Sequence, residues 1–245
     1  MKTPTESPTV AKPSKAPDRR RLLLVDDHPV TRRGVAALIN AERDLEVAGE
    51  ADSAPRALEI VGHQQFDLAI VDVSLGAMSG IELIKNLKVL APSLPILVMS
   101  MHDEGLYAER ALRAGAHGYI MKQEASDKIL IAIQRVLSGD LYISDKMKEK
   151  MLHRLVNKKK ETEGVFSIDT LSDREMEVFQ LIGNGFSTRQ IASQLHLSVK
   201  TIDSYREHLK LKLQLESGPD LVRFAIQWVK SEIASGPSAA APVPN

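Results

Sequence analysis

Residues 22–29 read Leu-Leu-Leu-Val-Asp-Asp-His-Pro, and the fold of the first half of the chain follows from them. Four apolar residues in a row suit a strand buried on both faces. Two aspartates end the run, and Pro29 then opens a helical stretch, because proline fits the first turn of a helix. Val35, Leu38 and Ile39 follow at helical spacing. The alternation repeats down the chain, with strands predicted at 46–51, 68–71, 95–100 and 117–121. Helices are predicted at 54–61, 80–90, 104–114 and 125–137. Such repeats imply a doubly wound parallel sheet with right-handed crossovers and helices on both faces. Ligands of such sheets bind beyond the carboxyl ends of the strands.

The polar residues obey that rule. Asp26 and Asp27 end the first strand, Asp72 the third and Ser100 the fourth, and Lys122 follows the fifth. Three converging carboxylates repel one another and are driven toward protonation unless cations intervene. A hard divalent ion such as Mg²⁺, which takes oxygen ligands, together with Lys122 answers that need. The competing reading is a set of unrelated strand-end caps, which five suitable residues at four strand ends make a poor account.

The 245 residues suffice for two domains. The absence of cysteine excludes a disulfide scaffold, a Cys-ligated metal site and a thiol nucleophile. No apolar run approaches the roughly 20 residues of a membrane span, and residues 1–21 lack the apolar core of a signal peptide. A cytoplasmic chain without membrane partners is expected. Its 32 basic and 32 acidic residues cancel only in total. Residues 1–21 carry +4, 22–145 carry −7, 146–164 carry +4 and 165–245 carry −1. Acidic and basic segments of this kind serve different partners. Residues 1–20 and 234–245, rich in proline and small residues, are expected to be disordered tails. Arg19–Arg21 are either a nucleic-acid contact or a solvated lead-in to the first strand.

Residues 141–165 form a basic linker in which lysines surround Met147, Met151, Leu152 and Leu155. A helix there is either a solvated connector or a contact to DNA phosphates. From Leu171 the periodicity is helical throughout. Ser172 and Glu175 have the spacing of a capping box. Capped helices follow after Ser187 and Ser198, and a last one spans 220–233, so residues 166–233 are expected to be an all-α four-helix unit. Two short helices and a longer one form a helix-turn-helix. With Ile202, Leu209 and Leu213 inward, Lys200, Ser204, Glu207 and Leu211 point outward, flanked by Asp203 and Lys210. That face would enter the major groove.

The blocks Leu24-Val-Asp26-Asp27-His28, Val71-Asp72 through Gly80, Val98-Met-Ser100 and Gly118-Tyr119-Ile-Met-Lys122 resemble the receiver domain of bacterial two-component response regulators. The resemblance covers about residues 21–140 and implies a flavodoxin-like five-stranded fold. It implies that Asp72 accepts a phosphoryl group from a sensor histidine kinase. Asp26, Asp27, Asp72 and the backbone carbonyl of Ser74 would hold Mg²⁺, and Lys122 would pair with the phosphoryl oxygens. Ser100 and Tyr119 would act as switch residues, Tyr119 having simple core filling as its alternative. Gly76 stands where the family usually has proline, so a looser loop and a changed phosphoryl lifetime are expected.

Leu171 to Glu175, Gly185 to Ala192, Leu197 to Ile202 and Lys212-Leu213 resemble the LuxR-type helix-turn-helix. A receiver joined to it is the NarL/FixJ class. The resemblance makes Lys200, Thr201, Ser204, Tyr205, Arg206 and Lys212 DNA-contact candidates, beside Asp203 and Lys210 on the helix flanks. Asp203 and Tyr205 depart from the residues usual there. Asp203 repels phosphate but accepts a hydrogen bond from cytosine N4. Leu221, Val222, Trp228 and Val229 of the last helix are candidates for a dimer contact, with Trp228 also suited to the core.

The expected function is phosphorylation-controlled regulation of transcription, with homodimers on promoter half-sites. In the resting chain the receiver or the linker is expected to mask the recognition helix or the dimer surface. A phosphatase is disfavoured, because the second Asp such enzymes use two residues on is here Ser74. A regulator whose helical unit binds protein instead of DNA is the alternative that the near-neutral 165–245 keeps open.

Overall fold

The computed structural model describes residues 19–76, 78–102, 104–157 and 168–234. The first part alternates as the sequence dictates: β1 (Arg20–Val25), α1 (Pro29–Asn40), β2 (Leu45–Ala51), α2 (Ala54–His63) and β3 (Leu68–Val71). A small hairpin, β4 (Ser74–Leu75) with β5 (Met78–Ser79), precedes α3 (Gly80–Leu90). Then come β6 (Ile96–Ser100), α4 (Glu104–Ala114), β7 (Gly118–Met121) and α5 (Ala125–Leu137). The strands form one parallel sheet in the order β2-β1-β3-β6-β7. Strand order reverses at β1/β3, which places the switch point beside Asp26 and Asp72. Leu22 to Val25 and Leu68 to Val71 are fully buried, as apolar runs covered by helices on both faces must be.

A short hairpin follows β3, with Gly76 at its turn. Gly76 has φ +65°, a left-handed conformation that proline cannot adopt. Gly80 N–H donates to the Val73 carbonyl at 2.6 Å. A Cβ on Gly80 would lie 1.9 Å from the Asp72 carbonyl oxygen, so only glycine lets the helix start this close to the strand end.

The linker contains α6 (Asp145–Asn157), with Met147 buried. Lys158–Lys160 lie outside the described residues, as do residues 1–18 and 235–245 of the expected tails. Arg19 donates to the Glu42 carbonyl at 2.6 Å and Arg20 pairs with Asp67 at 2.9 Å, which ties this end to the sheet as a lead-in.

The helical part comprises α7 (Asp173–Gly183), α8 (Thr188–Gln194), α9 (Val199–Leu213) and α10 (Gly218–Ala234). Ser172 with Glu175 and Ser187 with Gln190 close full capping boxes, and Ser198 accepts from Thr201 N–H. Phe179, Ile191, Ile202, Leu209, Leu213 and Leu221 make the core. The half-buried Trp228 lies 5.5 Å from the Phe179 ring, a core contact.

Candidate functional site

The strand-end residues converge. Asp26 and Asp72 are buried, and the Lys122 ammonium lies 2.8 Å from Asp26 Oδ2 and 2.7 Å from Asp72 Oδ2. Burial pushes the Asp72 carboxyl up to about 6, the Asp26 charge adds to that, and Lys122 opposes both. Burial disfavours the charge on Lys122, yet Asp72 and Asp26 outweigh it and hold the ammonium protonated beyond its ordinary range.

Ligand-capable atoms of Asp26, Asp27, His28 and Asp72 lie within 4.8 Å of one another. Asp26 Oδ2 and Asp27 Oδ1 are buried; the Lys122 ammonium lies 2.8 Å from the first and the His28 ring nitrogen 2.7 Å from the second. Three carboxylates grouped this closely around a single ammonium suit a hard cation.

Ser100 is fully buried, and its Oγ accepts the His102 N–H at 3.1 Å. Tyr119 is buried and turned inward, its hydroxyl donating to the His102 carbonyl at 2.8 Å. Ser74 N–H donates to Asp72 Oδ1 at 3.3 Å, while its hydroxyl donates to Glu177 of α7 at 2.8 Å.

That last bond reveals residues the sequence reading missed. Glu177 lies across the site from the helical part, and His102 Nε2 sits 2.9 Å from Ser74 Oγ and 3.6 Å from Glu177. Burial opposes the charge on Glu177, but His102 and Arg174 outweigh it and hold the carboxyl below the ordinary glutamate range. Arg110 of α4 donates to the carbonyls of Leu171 at 2.9 Å and Ile168 at 3.1 Å, and Lys85 of α3 pairs with Asp173 at 2.9 Å. The available signal was the polar stripe Arg174, Glu177, Gln180, spaced three apart. On an isolated helix it faces water; here all three are buried.

The outward face of α9, the candidate DNA contact, is open. Lys200, Asp203 and Ser204 are exposed, as are Glu207 and Leu211, while Ile202, Leu209 and Leu213 are buried as expected. The receiver thus covers α7 and leaves the outward face of α9 open, so of the two surfaces expected to be masked the recognition helix is not covered, while Val229 of the expected dimer surface is buried and lines the space against the receiver. The other candidates are less free. Thr201 Oγ1 bonds the capping Ser198 at 2.8 Å, Tyr205 packs on the core, and Arg206 is half-buried. Lys210 pairs with Glu207 at 2.8 Å, and Lys212 with the capping Glu175 at 2.6 Å.

Comparison with known proteins matches residues 22–134 to the response regulator receiver domain and residues 169–225 to bacterial regulatory proteins of the luxR family. The oxygen regulatory protein NreC of Staphylococcus haemolyticus is 32% identical over 212 residues, covering 84% of this chain and 97% of the relative.

The chain belongs to the NarL/FixJ class of two-component response regulators.

A putative transcriptional regulator of Pseudomonas aeruginosa is 35% identical over 206 residues, covering 84% of this chain and 96% of that one. Among solved structures, an RcsB–DNA complex matches with TM-score 0.55 and 26% identity over 85% of this chain and 99% of that one. A LuxR-family response regulator from Aurantimonas matches with TM-score 0.53 and 28% identity, covering 57% of this chain and all of that one. This response regulator is a DNA-binding protein. Among the described residues no helix is long and apolar enough to cross a membrane.

Proposed function

We propose that Asp72 accepts a phosphoryl group from the phosphohistidine of a sensor kinase, and that the acyl phosphate switches homodimers onto promoter half-sites in DNA. The observation that carries this is the Lys122 ammonium bridging Asp72 and Asp26 in a buried strand-end pocket. Phosphoryl transfer needs positioning and charge stabilisation more than covalent help, and a fixed ammonium supplies both. The carboxyl of Asp72, raised only to about 6, is mainly ionised at neutral pH and so available as the nucleophile.

Mg²⁺ fits the same pocket. Asp26, Asp27, Asp72 and the Ser74 backbone carbonyl would hold it, and when bound it would neutralise charge on the carboxylates and the incoming phosphoryl oxygens. Ser100 and Tyr119 would read the modification, since the phosphoryl group brings acceptor oxygens within reach of the Ser100 hydroxyl. Tyr119 already stands inward, which supports a switch in which Ser100 and the Ser74 loop make the larger move.

On DNA, Lys200, Thr201, Asp203, Ser204, Tyr205, Arg206, Lys210 and Lys212 form the contact set. Lys200, Asp203 and Ser204 are ready as they stand; Lys210 and Lys212 exchange intramolecular partners for phosphate. The experiment is Asp72→Asn, which is expected to abolish both labelling by acetyl phosphate and the labelling-dependent gain in DNA binding. Labelling that survives the substitution moves the acceptor elsewhere.

A further inference from the structure

Between the receiver and the helical part lies a cavity of about 400 Å³. Asp72 and Lys122 line it on the receiver side, and Gln180, Asn184 and Phe186 line it from the helical part. The phosphoacceptor is thus approached through a space roofed by the DNA-binding half of the same chain. The roof is fastened at three points along the start of α7: Ser74 to Glu177, Arg110 to the carbonyls preceding the helix, and Lys85 to Asp173. Asp72 retains only 1% exposure beneath it.

Size decides what reaches Asp72 in this arrangement. Small-molecule sites begin at roughly 300 Å³, so an acyl phosphate is accommodated. A helix that carries a histidine is about 10–12 Å across, and two turns of it occupy roughly 1,000 Å³. A protein donor must therefore displace α7 and its neighbours before its phosphohistidine meets the carboxylate.

The chemistry is the same for both donors. An Asp72 carboxylate oxygen bonds to phosphorus as the bond to the leaving group breaks. From acetyl phosphate the departing oxygen keeps the electron pair and leaves as acetate. From phosphohistidine the phosphorus–nitrogen bond breaks, and the imidazole nitrogen takes a proton from water. Lys122 stays protonated against the phosphoryl oxygens throughout. A difference between donors must then come from access.

We propose that the helical part, clasped over Asp72, selects the phosphoryl donor by size: the closed chain accepts from small acyl phosphates, and accepts from a protein phosphohistidine only after the clasp opens. The inference rests on Asp72 being the acceptor.

The chain has no cysteine, so Lys85→Cys with Asp173→Cys creates a single pair that a short bis-maleimide ties across the clasp. The tied and untied full-length chains are compared with acetyl phosphate and with an autophosphorylated histidine-kinase core that labels the untied chain. Acetyl phosphate labelling of the tied chain is expected within about threefold of the untied, while kinase transfer falls at least about tenfold, as for a lid held shut. Equal kinase transfer to the tied chain overturns the proposal, and so does loss of both donors, which means that the cavity is no entrance. Labelling of the untied chain that survives Asp72→Asn overturns the acceptor assignment instead.

A second variant, Lys85→Ala with Arg110→Ala, loosens the clasp from the receiver side and leaves the helical part untouched. Kinase transfer to it should rise in proportion to the open fraction, with acetyl phosphate labelling unchanged. A parallel rise with both donors contradicts selection by size.

Discussion

Asp72 and the outward face of α9 contrast in nearly every physical respect. Asp72 is 1% exposed and lies 2.7 Å from the Lys122 ammonium, which it shares with the buried Asp26. Lys200, Asp203 and Ser204 stand in solvent, and their strongest local tie is the Ser204 hydroxyl donating to the Lys200 carbonyl at 3.1 Å. Buried charges interact through a low dielectric, so one substitution there shifts both stability and chemistry. Exposed charges are screened by salt, so substitutions on α9 are expected to leave the fold alone and, on the proposed contact set, to change DNA binding.

The sharpest way to break this contrast is Lys122→Ala. It leaves Asp26 and Asp72 buried together without a cation, and is expected to cost about 3 kcal/mol near pH 7.5, read by urea unfolding. Acetyl phosphate labelling should fall at least about 100-fold. The stability cost should shrink near pH 5, where Asp72, with its carboxyl raised to about 6, takes up a proton. A loss below about 0.5 kcal/mol at pH 7.5 means that the pocket is hydrated, and the contrast with α9 collapses.

Asp72→Asn examines the same pocket from the other side. The folded carboxyl at about 6 binds its proton more tightly than the unfolded one at 3.8. Stability is therefore lost as pH rises from about 4 through about 6, by up to roughly 3 kcal/mol. Asparagine carries no such charge, so in metal-free buffer the variant should be more stable than the natural chain by about 1–3 kcal/mol at pH 7.5. The two should converge near pH 4. Millimolar Mg²⁺ should narrow the gap by stabilising the natural chain, because a ligand that binds only the folded form adds to its stability. A gap that is independent of pH means that burial does not govern Asp72.

Smaller effects belong to α9. Lys200→Ala or Arg206→Ala should lower DNA affinity by about 1 kcal/mol and reduce the salt slope by about one, with thermal stability unchanged. Arg206 is half-buried, so a stability loss confined to that variant would place it with the core instead of the groove. The mildest change is Asp203→Ala, which should relax sequence preference more than it lowers affinity across a panel of mutated half-sites. A uniform change over the whole panel excludes readout by this carboxylate.

The strand–helix alternation was legible because its cause is local. A run such as Leu22 to Val25 is buried on both faces wherever such a sheet forms, and Pro29, Ser172, Ser187 and Ser198 mark helix starts through their own backbone chemistry. The convergence of Asp26, Asp72 and Lys122 was legible too, because parallel strands bring their carboxyl ends to one edge. The hairpin at Ser74–Ser79 was missed because each of its strands is two residues long and depends on the turn at Gly76. Lys210 and Lys212 read as free bases in the sequence, and their pairing with Glu207 and Glu175 depends on side-chain geometry within and between helices.

Periodicity, capping and strand-end chemistry act over short distances or follow from parallel topology, and they sufficed for the two folds and for the pocket of Asp26, Asp72 and Lys122. The sequence by itself did not determine that α7 closes over Asp72. Arg174, Glu177 and Gln180 have the pattern of a solvated helix face, and α7 is held over the receiver by Ser74 of β4, His102 of the loop after β6 and Arg110 of α4, about 60 to 100 positions away. Only the tertiary structure brings those partners together. A polar stripe becomes a domain contact when a complementary surface meets it, and no local pattern encodes where that surface will be.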